Sequence, residues 1–148
     1  MCSDERIAEG LDRALARLLS QDAHMLPRKT SERAVTGRLA MYLQAEFPDH
    51  EVDVEYNRHG EKPKRAKRAL IVPDIVVHKR GNDHRNVLAL EVKPFWSSED
   101  RSKDKRKLQT LTGTEYRYRL GAHVELLLDS YVIEWFAGGV KARDPRDG

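Results

Sequence analysis

The sequence predicts an α/β (α+β) fold in which helices flank a mixed central sheet. Two amphipathic helical segments come first, and three segments with strand character follow them. A further helical segment then separates these strands from two more. Three successive strands followed by a crossover helix indicate a sheet with antiparallel and parallel pairs. The chain of 148 residues is long enough for one domain with one core, and residues 138–148 are expected to form a short polar tail.

Composition favours a soluble, cytoplasmic protein with a modest core. Charged residues make up 34% of the chain and hydrophobic residues 39%, and no apolar run approaches the roughly 20 residues that would span a bilayer. We therefore expect no membrane partner. The only cysteine is Cys2, which excludes an intrachain disulfide and a cysteine-rich metal site and fits a reducing compartment. The first ten residues contain acids and no apolar stretch, so no secretory signal is expected.

The first helix is predicted over residues 4–20. Its apolar side chains recur at the spacing of one buried helix face, and they are Ile7, Leu11, Leu15 and Leu18. Residues 1–29 are therefore predicted to form an N-terminal helix and a connector. We expect this helix to pack on the rest of the domain or on a second subunit, which leaves a homodimer open.

The second helix is predicted over 31–47, at the start of the main domain, residues 30–137. Thr30 or Ser31 can cap its N-terminus. Its apolar stripe consists of Val35, Leu39, Tyr42, Leu43 and Phe47. Glu32 heads this stripe rather than the solvated face, and two interpretations remain open. It is either a first-turn acid favoured by the helix dipole or a further acid aimed at a functional site.

Three strands are predicted next. Residues 51–58 alternate between apolar and polar side chains, which indicates a half-buried strand. The second strand starts near Leu70 and the third spans 87–93, and both are almost wholly apolar. Such runs are typical of central strands that are covered on both faces. Charged side chains at the end of such a strand are costly unless they are paired or bound to a metal.

The remaining chain predicts a very basic helix and two more strands. Ser97 or Ser98 can cap the helix, and Gly113 can end it. The strands are predicted over 122–128 and 131–136, the second of them at an edge of the sheet.

A group of charged residues is predicted where two of these strands meet. Asp74 begins the second strand, and Glu91 and Lys93 lie near the end of the third. Residues i and i+2 of a strand project from the same face, so Glu91 and Lys93 point the same way. If the two strands pair through the turn at 81–83, Asp74 lies beside them. Two carboxylates and an ammonium can then bind a divalent cation and activate a water molecule.

These residues resemble the signature of a known superfamily. Pro73–Asp74, a spacer and Glu91–Val92–Lys93 are similar to the motif of the PD-(D/E)xK nucleases, which include restriction endonuclease-like enzymes and many repair and phage nucleases. The predicted order of helix, three strands, helix and strand is also the core arrangement of that superfamily. The resemblance covers 31–136 and implies a restriction endonuclease-like fold and a metal-dependent nuclease.

The resemblance also implies roles for individual residues. Asp74 and Glu91 would hold Mg²⁺ (or Mn²⁺), with the carbonyl of Val92 as a further ligand, since magnesium prefers oxygen donors. Lys93 would orient or deprotonate the attacking water or stabilise charge on the phosphate. A glutamate in the helix before the first strand often joins such a site, which is the functional interpretation of Glu32.

Positive charge is concentrated near this candidate site. Residues 58–68 contain six basic residues and one acid, whereas the whole chain has a net charge of +3, so the remainder is mildly acidic. Such a distribution favours an anionic partner, here nucleic acid and DNA in particular. Tyr116 and Tyr118 interleave with arginines as in some nucleic-acid grips, although burial against the sheet explains them slightly better. The predicted nucleic-acid-binding residues are Arg58, Lys62, Lys64, Arg65, Lys67, Arg68, Lys103, Lys107 and Arg117.

Three functions remain open at this point. The first is a metal-dependent nuclease, and the second is a non-catalytic nucleic-acid-binding or assembly domain on the same fold. The third is a structural ion cluster of Asp74, Glu91 and Lys93 in an unrelated domain. Retention of all three residues favours the nuclease. The six histidines lack a zinc-site spacing, and His78 is expected to be a satisfied core histidine. No nucleophile elbow or glycine-rich phosphate loop occurs.

Overall fold

The computed structural model describes residues 2–26, 28–29, 31–56, 65–66, 69–81 and 85–147, with the backbone alone for 65–66 and 69–70. Its helices are α1 (Asp4–Gln21), α2 (Glu32–Glu46) and α3 (Arg101–Leu111). Its strands are β1 (Glu51–Val54), β2 (Arg65–Ala66), β3 (Ala69–Leu70), β4 (Ile75–His78), β5 (Leu88–Pro94), β6 (Leu120–Leu126), β7 (Tyr131–Ala137) and β8 (Val140–Ala142).

Six strands form one mixed sheet in the order β1-β4-β5-β6-β7-β8, and β2 and β3 pair separately. Among the strands that the structure describes, β5 and β6 form the one parallel pair, with α3 as the crossover between them. A crossover of this kind needs a long connection, which a helix supplies. The predicted α/β fold, with a mixed sheet flanked by helices, is confirmed.

The sheet separates two apolar layers. Leu90 and Val92 on β5 pack in the larger core, which contains the buried faces of α1 and α2. Ala89 packs in the smaller core under α3. Because side chains alternate along a strand, Glu91 and Lys93 project from the α3 face together with Ala89. The whole of β5 is buried, so these two charged side chains end a strand that is covered on both sides.

The helices α1 and α2 pack on each other and on the same face of the sheet. Both N-caps follow the expected chemistry: Ser3 Oγ accepts the N–H of Arg6 at 3.1 Å, and Ser31 Oγ accepts the N–H of Ala34 at 3.2 Å. The predicted apolar stripes are buried. They are Ile7, Leu11, Leu15 and Leu18 on α1, and Val35, Leu39, Tyr42 and Leu43 on α2 with Phe47 at its C-cap. No helix in the described ranges is both long and apolar enough to cross a membrane.

The strands around Asp74 start and end elsewhere than predicted. β4 begins at Ile75, whereas Leu70 belongs to the small β3 strand. Pro73 lacks an N–H and cannot donate to a ladder, which explains why pairing on the central sheet starts after it. β1 ends at Val54, because Glu55 has a positive φ of 49° that turns the chain out of strand geometry, and the predicted end at residue 58 lies outside the described residues.

The helix α3 begins later than predicted. Its N-cap is Asp100, whose carboxylate accepts the N–H of Ser102 at 2.9 Å, and not Ser97 or Ser98. An aspartate both caps the first turn and complements the positive end of the helix dipole. The residues before it form a loop that Arg101 holds through a hydrogen bond to the carbonyl of Ser97 at 2.7 Å.

The C-terminal segment, predicted as a polar tail from residue 138, contributes a strand. Gly138 and Gly139 have positive φ values of 60° and 86°, and they form a tight turn after β7. Two consecutive positive-φ residues are typical of a two-residue hairpin. The pairing of Ala137 with Val140 then makes β8 the edge strand, so β7 lies inside the sheet rather than at its edge.

Candidate active site

Asp74 and Glu91 lie side by side where β4 begins and β5 nears its end. The antiparallel register pairs Ile75 with Leu90, which places the two acids on adjacent positions of neighbouring strands. The N–H of Asp74 donates to Glu91 Oε2 at 2.8 Å, and the N–H of Val92 donates to Asp74 Oδ2 at 2.8 Å. These reciprocal bonds fix both carboxylates. The predicted meeting of the two strand ends is therefore present in the structure.

Burial and mutual repulsion act on this acid pair. Glu91 is only 1% exposed, and burial together with the neighbouring Asp74 raises its pKa to about 8. Burial also raises the pKa of Asp74, although the N–H of Val92 and nearby ammonium groups oppose the shift. Near neutral pH the pair therefore tends to keep a proton. Oδ1 of Asp74 accepts no hydrogen bond from the part of the chain that the structure describes.

Lys93 lies on the same face of β5 and is surrounded by acids. Its ammonium is 3.4 Å from Glu99, 3.4 Å from Asp104 and 3.8 Å from Glu32. Burial lowers the pKa of Lys93, but these carboxylates, Asp104 most strongly, raise it by more. The side chain is thus held as a cation. A fixed ammonium can orient a water molecule or stabilise charge on a phosphate, whereas action as a base would first require loss of its proton.

Glu32 occupies the first turn of α2. Its Oε2 reaches Lys93 at 3.8 Å while about a third of the side chain stays exposed. The sequence prediction that this carboxylate turns towards the sheet is correct. At this distance it forms an ion pair without a hydrogen bond, so both interpretations, dipole complement and site residue, remain open.

Two buried polar residues complete the cluster. Asp104 on α3 and His123 on β6 are buried, and Asp104 Oδ2 lies 3.6 Å from His123 Nε2. Within the described residues neither of these two atoms has a hydrogen-bond partner. Burial alone would raise the pKa of Asp104, but His123 and the neighbouring lysines lower it by more. The acid is therefore ionised and helps to hold Lys93.

Sequence reasoning missed these two residues for different reasons. Asp104 lies four and seven positions before Leu108 and Leu111, the buried side chains of α3, so it heads a helical stripe as Glu32 does in α2. That spacing could have identified it. His123 interrupts an apolar strand, but nothing local shows that an acid from α3 packs against it.

Lys107 was predicted to bind nucleic acid, and the structure places it in the site. Its ammonium forms an ion pair with Glu91 Oε1 and donates to the carbonyl of Val72 at 3.2 Å. A quarter of the side chain is exposed. Among the contacts described, this ammonium is the cation closest to the buried acid pair.

The other predicted nucleic-acid-binding residues are not brought to the site. Lys103 is exposed on α3. Arg117 lies beyond α3, in a segment that is hydrogen-bonded to Asn86 just before β5. Asn86 and Lys93 are separated by about 20 Å along the strand, so Arg117 lies at the opposite end of the sheet from the site. Tyr116 and Tyr118 are buried in the core under α3, as their alternative interpretation expected. The predicted residues Arg58, Lys62, Lys64, Lys67 and Arg68 lie outside the described residues, and Arg65 is described by its backbone in β2 alone.

The donor set fits a hard cation such as Mg²⁺. No group of three or more His, Cys, Asp or Glu side chains in the described ranges is arranged to hold a metal ion. Asp74 and Glu91 supply two carboxylates, and magnesium commonly binds one or two carboxylates while keeping several waters. The charges also fit, because carboxyl groups outnumber ammonium groups: Glu32, Asp74, Glu91, Glu99 and Asp104 against Lys93 and Lys107.

Fold and site together define a three-layer α/β protein with an acid-rich, lysine-containing cluster at the ends of two central strands. Comparison of the chain with protein-family models, with curated proteins and with solved structures finds no match. The functional assignment therefore depends on the geometry of the cluster.

Proposed function

We propose that the protein is a cytoplasmic, metal-dependent nuclease that hydrolyses phosphodiester bonds of nucleic acid, with DNA favoured, on a restriction endonuclease-like core. The interlocked pair of Asp74 and Glu91 supports this proposal, with the ammonium of Lys93 on the same strand face. Hydrolysis of a phosphodiester needs neutralised phosphate charge, an activated water and help for the leaving oxygen. Two buried acids and a fixed cation at one strand end can meet these needs together.

The acid pair would hold the metal. Asp74 and Glu91 would bind Mg²⁺ (or Mn²⁺) with the carbonyl of Val92, and the bound ion would supply charge neutralisation and a polarised water. The reciprocal hydrogen bonds keep both carboxylates in one orientation, so little reorganisation is needed when the ion binds.

The lysine and its acids would position the reacting groups. Lys93 stays protonated among Glu99 and Asp104 and can donate to the attacking water or to a phosphate oxygen. Its location on the α3 face aims it to the same side as Glu91. Basic residues in and around 58–68 would contact the phosphate backbone.

Cleavage of a mixed panel of DNA and RNA substrates, duplex and single-stranded, with Mg²⁺ or Mn²⁺ tests the proposal. Asp74→Asn should weaken metal binding, whereas Lys93→Ala should keep the metal and lower the rate by about 10²–10⁴-fold. Lys79→Ala is the matched control, because it removes an ammonium at the other end of β4. If Lys93→Ala cleaves as fast as the parent, Lys93 has no catalytic role.

A non-catalytic nucleic-acid-binding or assembly domain on the same fold is the second candidate. It is favoured by the ion pair of Lys107 with Glu91, which lets the fold tolerate the buried acid pair without a metal. The same panel separates the two. Binding of nucleic acid without cleavage under either metal would support the second candidate and overturn the first.

A further inference from the structure

Lys107 is the ammonium that pairs with Glu91. Oε2 of that carboxylate accepts the N–H of Asp74, and Oε1 carries the ammonium of Lys107. A divalent ion shared between Asp74 and Glu91 would share the carboxylate of Glu91 with this ammonium, and two cations beside one buried carboxylate repel each other. The N–H of Asp74 also donates to the carbonyl of Leu90 at 3.1 Å, so its backbone pairing does not depend on Glu91. The metal would therefore compete with Lys107.

The displaced ammonium has one kind of acceptor close by. It lies at the mouth of the site, with a quarter of its side chain exposed, on a flexible four-carbon stem. After displacement it keeps the carbonyl of Val72 as a partner and has donors to spare. The group that a nuclease brings to this position is a substrate phosphate.

Resting on the nuclease function proposed above, we propose that Lys107 couples metal binding to phosphate binding. Its ammonium holds Glu91 in the metal-free protein, and a bound divalent cation releases it to a phosphate of the substrate. Lys93 cannot do this, because acids on three sides hold its ammonium. The two lysines thus have separate tasks: one is fixed beside the reaction, and the other exchanges partners.

Such an exchange must be reciprocal. If the metal frees Lys107 for phosphate, then nucleic acid that takes Lys107 must raise the affinity for the metal by the same factor. Typical couplings of this kind change affinity by about 5–150-fold. Without Lys107, the metal meets no ammonium at Glu91 Oε1, and the nucleic acid has one metal-dependent phosphate partner fewer.

The first measurement is the affinity for Mg²⁺ without nucleic acid, by calorimetry at pH 9 in two buffers of different ionisation enthalpy. Loss of Lys107 removes a cation that lowers the pKa of Glu91, so the protons released on binding are counted and each affinity is expressed for the ionised carboxylate. Lys107→Gln should bind Mg²⁺ at least about fivefold more tightly than the parent. Arg106→Gln is the matched control, with the same change of charge at the next, exposed position of α3, and should bind as the parent does. Equal or weaker binding by Lys107→Gln overturns the proposal.

The second measurement is the salt dependence of duplex binding, with and without Ca²⁺ as the divalent ion, on duplex checked to be uncut. Lys107→Gln should reduce the slope of log affinity against log salt by about 0.9 with the ion and leave it unchanged without. A reduction in both conditions, or in neither, contradicts an exchange of partners.

The outcomes also separate this proposal from the nuclease function. If the parent binds Mg²⁺ and cleaves nucleic acid while Lys107→Gln binds the ion no more tightly, only the role of Lys107 fails. If the parent binds no divalent ion at Asp74 and Glu91, the metal-dependent function fails and the coupling fails with it.

Discussion

The two ends of β4 carry charged clusters of opposite character. Near the C-terminal end of β4, the carboxylate of Asp53 on β1 accepts hydrogen bonds from His78 Nε2 at 2.8 Å and from two guanidinium nitrogens of Arg80 at 2.9 and 2.6 Å. The hydrogen bond from Arg80 is the largest influence on the pKa of Asp53 and lowers it, and His78 adds to this against burial. At the N-terminal end, burial raises the pKa values of Asp74 and Glu91.

The difference separates a cluster in which the buried charge is balanced by cations from one in which it is not. At the first cluster the protein supplies enough positive charge to favour the ionised acid, so nothing further is required. At the second cluster the protein leaves an ionised acid pair disfavoured despite Lys107. Groups whose pKa is driven away from the usual range by burial and a like charge are enriched at functional sites. His78 is thus a satisfied core histidine, as the sequence predicted.

The same change, from aspartate to asparagine, made separately at each end of β4 gives the largest expected difference. On the proposed function, Asp74→Asn should lower the rate of cleavage by about 10²–10⁴-fold with little loss of stability, because it would remove a ligand of the proposed metal ion and an unfavourable charge. Asp53→Asn should retain the rate and destabilise the fold by about 1.5–3 kcal/mol, since it weakens charge-assisted hydrogen bonds. Turnover and urea denaturation of both variants measure this. A loss of activity in Asp53→Asn alone would reverse the comparison.

The pH dependence of stability should separate the two ends next. Glu91 has a pKa raised from 4.5 to about 8, so the folded state holds its proton longer than the unfolded state. Its contribution is fully present below about pH 4.5 and is lost as pH rises towards 8, at about 1.4 kcal/mol per pKa unit. The metal-free protein should therefore lose a few kcal/mol over this range, and Glu91→Gln should flatten the loss.

Asp53 should act at the other limb of the same curve. Its pKa is lowered, so its contribution is present above the ordinary carboxyl pKa of 3.8 and is lost as pH falls. Asp53→Asn should flatten the acid limb and leave the slope of stability against pH between pH 5 and about 8 unchanged, although the whole curve is lower. Thermal melts between pH 3 and 9 provide the measurement, and identical profiles for the Glu91 and Asp53 variants would refute the assignment of the limbs.

The basic residues 58–68 precede the Asp74 end in sequence, and they offer a further distinction. The four to be changed are Lys64, Arg65, Lys67 and Arg68. Replacement of all four by Ala should flatten the slope of log affinity against log salt by up to about 0.9 for each duplex phosphate that these side chains neutralise. Lys141→Ala, which removes an exposed charge on β8, is the control. A slope unchanged in metal-free titrations would leave this segment as a solvated loop.

Glu32 should produce the smallest effect. Glu32→Gln keeps the shape of the side chain and removes the charge that faces Lys93. If Glu32 orients a group of the site through Lys93, this variant should lose about 10–100-fold in activity. If Glu32 only complements the helix dipole, the variant should lose about 0.3–1 kcal/mol of stability and keep its full rate. Turnover at saturating metal decides: full activity with a slightly lower melting temperature would leave the dipole explanation.

Local patterns were sufficient to predict the helices and the core of the site. Asp74, Glu91 and Lys93 come from two antiparallel strands that are close in sequence, so their meeting follows from the register of one pair. The spacing of Asp104 places it on the buried face of α3, but its partners, and the positions of Lys107 and His123, depend on how α3 and β6 pack on the sheet, which no local spacing determines.

The missed elements have physical causes of the same kind. The polar character of the segment after β7 predicts a tail, whereas a pair of positive-φ glycines between apolar residues is a hairpin signal. The start of β4 was predicted too early because Leu70 and Ile71 are apolar, while Pro73 between them and Ile75 prevents a continuous ladder.

The single parallel pair among the described strands has a consequence for the order in which the protein assembles. The β4–β5 pair closes a short loop, whereas β5 meets β6 only after the whole crossover through α3 is in place. Contacts that close longer loops form later on average. During synthesis, Asp74 and Glu91 therefore leave the ribosome before Lys107 does, and they remain hydrated until α3 docks. Docking of this helix buries the acids and brings their cation in one event, so the newly made chain never has to bury the pair alone.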